Sequence, residues 1–161
     1  MTEPRQYLLC SVFPSLFADG SDSVYFFLLN LTTMKQNMIN WFEIPVTDMD
    51  RAIEFYQTIL GIEITRAEMG PLDMGWFPGD PELPGASGSL VKHPDFYFPS
   101  NSKGTLIYFN SPSGDLSNEL SKVEAAGGKV LQEKKQIAPD VGFMGLFIDS
   151  EGNRIALHSQ A

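Results

Sequence analysis

The chain repeats itself, and the repeat limits what it can fold into more than any other feature. Shifted by 67 residues, Pro45 meets Pro112, Asp48-Met49 meets Asp115-Leu116, Ile53 meets Leu120, Gly61 meets Gly128 and Leu90 meets Leu157. At a shift of 70, Met74-Gly75-Trp76-Phe77 meets Met144-Gly145-Leu146-Phe147, and a loop longer by three residues in the first half accounts for the difference. A periodic order of features of this kind marks two copies of one structural unit.

Each copy reads as a strand, a helix and three further strands. Over Ile39–Val46, Phe42, Ile44 and Val46 alternate with Trp41, Glu43 and Pro45, the period of a strand with two unlike faces. Thr47 or Asp48 then caps a helix whose stripe is Met49, Ala52, Ile53, Tyr56, Ile59 and Leu60, with Gly61 as its stop. Strands are expected at Ile62–Arg66, Met74–Phe77 and Ser87–Lys92, the last two separated by the turn-rich Pro78–Gly85. The second copy gives a strand at Leu106–Asn110, a helix at Asp115–Ala126 burying Leu116, Leu120 and Val123, and a stop at Gly127-Gly128. Strands follow at Lys129–Lys134, Phe143–Ile148 and Arg154–Ser159. The expected organisation is a first module at 38–92, a linker at 93–104 and a second module at 105–161, together one domain at 38–161.

Residues 1–33 stand outside the repeat and carry four charges among two apolar clusters. The run Val24–Leu29 is far shorter than the roughly 20 apolar residues a membrane-spanning helix needs, and Glu3, Asp19 and Asp22 argue against a secretory signal. Three readings of this stretch stand: a poorly ordered extension, an upstream stretch added by an early start codon before Met34 or Met38, or an extra element packed on the domain.

Ile39–Gly61 (INWFEIPVTDMDRAIEFYQTILG) and Gly145–Ser159 (GLFIDSEGNRIALHS) resemble the vicinal oxygen chelate superfamily of glyoxalases, bleomycin-resistance proteins and extradiol dioxygenases. The specific part is the combination: strand, Pro-Val-x-Asp, a helix ending Phe-Tyr-x-x-x-Leu-Gly, and much later Asp-x-x-Gly-Asn before a last strand. The resemblance implies an α+β fold in which two tandem βαβββ modules form a cup-shaped mixed sheet with helices outside. It does not imply a reaction, because one fold carries many functions.

Strand alternation sorts the two faces independently of the family. Phe42, Ile44, Leu90, Ile107, Phe109, Ile155 and Leu157 face the helices, which leaves Trp41, Glu43, Ser89, Val91, Tyr108, Asn110, Ala156 and His158 to line the cup. The resemblance implies metal ligands, usually His, Gln or Glu, on the first and fourth strand of each module. Here those four slots fall at Trp41, Ser89, Tyr108 and Ala156. Trp and Ala offer no ligand, and Ser and neutral Tyr are poor ones. No metal is therefore expected at the usual slots. A divalent ion, if bound, would use Glu43 and His158, each two residues beyond a slot, and the same pair suits acid–base work. Each is alternatively a solvated or hydrogen-bonded strand residue.

Trp41 and Tyr108 could stack on a planar ligand from opposite modules, or simply fill the cup. Trp76 and Phe143 read as rim or core. Phe96-Tyr97-Phe98 reads as a lid, a dimer contact or a packed linker, and His93 as a loop residue. The chain has no phosphate-cradling Gly-rich loop opening a helix and no Gly-x-Ser-x-Gly elbow. Cys10, the single cysteine, excludes an intrachain disulfide framework and a cysteine zinc site and fits a cytoplasmic location. With 11 basic against 20 acidic residues, a net charge of −9 disfavours nucleic acid and anionic membranes. The expectation is a protein binding a small organic molecule, cationic if Glu43 meets it between Trp41 and Tyr108, and compatible with a homodimer. The alternative is a metal-dependent, glyoxalase-type lyase or isomerase with Glu43 as general base. A third is an interaction module whose cup is filled by its own side chains.

Overall fold

The computed structural model describes residues 39–80 and 82–161; the readings of residues 1–33 fall outside these. The first module runs β1 (Trp41–Pro45), α1 (Met49–Leu60), β2 (Thr65–Met69), β3 (Leu72–Trp76) and β4 (Ser87–Lys92). The second runs β5 (Ile107–Asn110), α2 (Ser117–Val123), β6 (Lys129–Ala138), β7 (Gly142–Ile148) and β8 (Arg154–Ser159). Each forms one mixed four-stranded sheet of the same order, β1-β4-β3-β2 and β5-β8-β7-β6. In each, the first strand pairs parallel with the fourth and the remaining pairs are antiparallel. The order of features duplicated in sequence is thus duplicated in topology: an α+β fold of two βαβββ units.

Alternation places the apolar set against the helices. Ile44, Leu90, Ile155 and Leu157 are buried together with Met49, Tyr56, Leu116 and Leu120 in one cluster drawn from both modules. The repeated Met-Gly of β3 and β7 explains how each helix lies close on its sheet. A Cβ on Gly75 would come within 3.1–3.3 Å of Ile64, Met49 and Ile53, and one on Gly145 within 2.7 Å of Leu120. Asp48 caps α1 by accepting a hydrogen bond from the Arg51 amide at 3.1 Å, and Gly61 ends it in the left-handed region at φ 66°.

The differences from the sequence reading have local causes. The second strand begins at Thr65, not Ile62. The Gln57 side chain accepts the Ile64 amide at 2.9 Å and ties this stretch to the helix. The second helix is shorter than Asp115–Ala126. Asp115 and Ser113 organise turns before it, and the chain leaves it through Gly127 at φ 95°, while Gly128 keeps an ordinary backbone. β6 continues past Lys134 to Ala138 through three register shifts against β7. It forms one outer edge of the structure, and at the other, on β2, Arg66 binds Asp73 at 2.7 Å and also pairs with Asp50. The α1 stripe also includes Phe55, absent from the periodic reading, because this helix packs on the other module too. Its ring lies 5.9 Å from Phe147, and Tyr56 lies 5.9 Å from Phe109.

The two modules are fastened by the turn between β7 and β8. Asp149 accepts hydrogen bonds from the Glu151 and Asn153 amides, the Asn153 side chain and the Tyr56 hydroxyl of α1, the last at 2.7 Å. Burial raises the Asp149 pKa above the usual carboxylate value despite these donors. Burial and the facing Asp149 push the Tyr56 phenol well up, so it stays a donor. Asn153 also donates to the Pro45 carbonyl at 2.8 Å. Glu151, its side chain fully buried, accepts from the Thr47 and Asp48 amides, the Thr47 hydroxyl and Arg51 at 2.7–3.0 Å. A carboxylate from the second module thus caps the start of the first module's helix.

Burial opposes ionisation of Glu151, but the Arg51, Thr47 and Asp48 donors outweigh it and hold its pKa at about 2. A depressed carboxylate pKa adds stability that is present above the unfolded value and lost as pH falls through the folded one. Glu151→Gln should therefore cost about 1–3 kcal/mol at neutral pH. The deficit should shrink between the ordinary glutamate pKa and about 2, as read from urea unfolding midpoints at the two ends of that window.

Candidate functional site

The register of the first sheet fixes one polar row on the face away from the helices. Glu43 stands opposite Ser89, and Ser89 opposite Trp76. Trp41, two residues before Glu43, packs edge-on against Trp76 with ring centroids 5.7 Å apart. In the second sheet, Tyr108 stands opposite Ala156 and Asn110 opposite His158.

A cleft of about 990 Å³ opens between β1 and β5, the strands at which the two sheets approach each other. Trp41, Glu43, Tyr108 and Asn110, four of the residues singled out from sequence, line it, with Phe109 and Pro84 among their neighbours. The other four do not. Ser89, Val91 and Ala156 lie on the same faces but are fully buried, and His158 directs Nε2 to the Val141 carbonyl at 2.7 Å. No hydrogen bond or ion pair joins Glu43 to His158 among the described residues; each is engaged elsewhere.

The partner of Glu43 is Tyr97, from the segment between the modules, whose hydroxyl donates to Oε2. That bond, helped by burial, raises the phenol pKa, so it remains a donor at neutral pH. The sequence signal for Tyr97 was only its place in the aromatic triplet. Its neighbours Phe96 and Phe98 are 77% and 68% exposed, so one ring of the three turns inward. Phe143 packs against the core on the helix side, with Lys134 Nζ 4.7 Å above its ring. Ser89 Oγ is fully buried and has no hydrogen-bond partner among the described residues, which no sequence pattern announces.

The four slots at which the resemblance implies metal ligands do not fit a divalent ion. Trp41 and Ala156 supply no donor, and the Tyr108 hydroxyl is 4.0 Å from the Met144 sulfur. Among the described residues no three His, Cys, Asp or Glu side chains cluster as a metal site would require. Nor is any helix among them long and apolar enough to cross a membrane.

With this geometry in place, comparison with known proteins identifies the class. The model of the glyoxalase/bleomycin resistance protein/dioxygenase superfamily matches residues 38–157, and the chain belongs to that superfamily. No curated protein sequence matches significantly. Among solved structures, a glyoxalase I variant from Zea mays is 16% identical with a TM-score of 0.56, over 75% of this chain and 46% of that one. The chain thus spans about half the length of the maize enzyme. The glyoxalase I of Leishmania major is 18% identical with a TM-score of 0.58, covering 78% of this chain and 88% of that one. TnmS3, an antibiotic binding protein from Streptomyces sp. CB03234, is 20% identical with a TM-score of 0.53, covering 80% and 99%. Likenesses at such identities establish the fold.

The donor set carries a direct expectation. Protein equilibrated with nickel, zinc, manganese or iron(II) and then desalted should retain well under one ion per chain by elemental analysis. A stoichiometric ion lost in His158→Ala would instead place a metal ligand at His158.

Proposed function

We propose that this protein binds a small, cationic organic molecule with an apolar or aromatic body in the cleft between β1 and β5. One observation carries the reading: the Glu43 carboxylate lines a cleft whose walls are Trp41 and Tyr108, in a chain of net charge −9. A carboxylate flanked by aromatic faces recognises a cation twice, through charge and through the ring quadrupoles, the latter contributing about 0.5–2 kcal/mol. A negative overall field favours approach of such a ligand. The cleft volume falls at the upper end of the roughly 300–1,000 Å³ range of small-molecule sites. Likeness to an antibiotic binding protein agrees with a binding role.

The second reading is a glyoxalase-type lyase or isomerase, with Glu43 abstracting a proton beside a substrate carbonyl. The likeness to two glyoxalase I structures favours it. It ranks lower because that chemistry calls for a Lewis acid at the four slots, where the side chains offer no adequate ligands. A cytoplasmic location and assembly as a homodimer are compatible with this reading.

The test uses a charged and a neutral ligand of one shape. Trp41 and Trp76 are the chain's two tryptophans and touch each other at this face, so intrinsic fluorescence reports occupancy. Benzylammonium should change that fluorescence saturably, and Glu43→Gln should weaken it by roughly tenfold while leaving benzyl alcohol within about twofold. Equal affinity in wild type and variant would remove Glu43 from the site.

A further inference from the structure

Glu43 is not free in this structure, and what holds it comes from outside both sheets. The segment 93–104 leaves β4 after Lys92 and is fixed to the second module at Ser100. There the Ser100 amide donates to Asn153 Oδ1 at 3.2 Å and its carbonyl accepts the Arg154 amide at 3.3 Å. Near its start it is organised by His93. That residue's carbonyl accepts the Tyr97 amide at 3.4 Å, its Nδ1 accepts the Asp95 amide at 3.2 Å, and its ring packs at a tilt against Phe96. Between Pro94 and Pro99 one hydrogen bond reaches beyond the segment among the described residues, from the Tyr97 hydroxyl to Glu43. Phe96 and Phe98, on either side, are exposed. Tyr97 is therefore a tie made at a single point, and that point is the charge a cationic ligand needs.

We propose that Tyr97 is a specificity-determining residue of the cleft: its phenol occupies the Glu43 carboxylate as an internal competitor and yields it to ligands that bring a positively charged N–H donor. The inference rests on the cation-binding reading above and adds the class of cation, a protonated primary or secondary amine. A neutral hydroxyl can at best match the phenol's hydrogen bond to the carboxylate, whereas an ammonium N–H adds a full opposite charge to the hydrogen bond it makes. A quaternary ammonium brings charge but no donor. The exchange breaks and forms hydrogen bonds only.

The test is Tyr97→Phe, which keeps the ring and removes the donor. Benzylammonium, followed by tryptophan fluorescence, should bind roughly tenfold more tightly to Tyr97→Phe than to wild type, because nothing then competes for Glu43. The gain should vanish when Glu43→Gln is added. A residue serving only to hold the linker in place would give unchanged or weaker binding, and either result overturns the proposal. A ligand-free readout separates this failure from failure of the cation-site reading. In the ultraviolet titration of tyrosinate, Glu43→Gln should lower one tyrosine pKa relative to wild type. An identical titration in the two proteins denies the contact and overturns the proposal. If the shift is present but no variant binds benzylammonium, the cation-site reading fails, Tyr97 is a structural tie, and the proposal falls with it. If wild type binds the probe and Tyr97→Phe gains nothing, the proposal alone fails.

Discussion

The grip of one turn on one helix start is the interaction on which the arrangement of the two modules rests. A βαβββ unit leaves its first helix with unsatisfied amides at one end, and here Glu151 from the other unit satisfies them, with Arg51 closing the charge. The same turn keeps Asp149 and Asn153 folded on themselves while reaching Tyr56 and the Pro45 carbonyl. Pro45 ends β1, the strand that carries Trp41 and Glu43. The polar clasp therefore fixes one wall of the cleft relative to the module that supplies Tyr108. Aromatic packing of Phe42, Phe77 and Tyr56 around Phe109 fills the space beneath it.

The clasp is one-sided. At the 67-residue offset, the position matching Asp149 is Glu82, in the loop before β4, and among the described residues no corresponding turn grips α2. That helix is supported from within its own module. Ser111 and the Ser113 amide bond to the buried Glu119, the Leu116 amide donates to Ser159, and Lys134 binds Asp115, whose pKa it helps lower to about 2. Duplicated topology has thus been held together by unduplicated contacts. The loop freed from clasping duty in the first module contributes Pro84 to Ser87 to the cleft instead.

Much of this was legible from sequence because it follows from period and spacing. Alternation along β1, β4, β5 and β8 separates helix-facing from opposite-facing residues, since the side-chain repeat of a strand is two. The caps at Asp48 and Gly61 are local chemistry. What period could not supply is any contact made across the repeat. Phe55 looks surplus to a stripe read from one helix, and Glu151 looks like an ordinary turn residue until the far module is in place. Tyr97 sits in a segment with no period at all. Burial of Ser89, Val91 and Ala156 likewise depends on what covers a face, which alternation does not report.

The outer borders of the two sheets bear on a hazard that every exposed strand carries. β6 crosses its edge with three register shifts and carries Lys129, Lys134 and Lys135, so its outward amides and carbonyls do not form the straight ladder another strand would copy. At the opposite border Arg66 is locked between Asp50 and Asp73, placing charge along β2. Both features make these two borders poor templates for strand addition. A chain with two similar four-stranded halves could otherwise propagate by joining sheet to sheet between molecules, and here geometry at one outer border and fixed charge at the other oppose such growth.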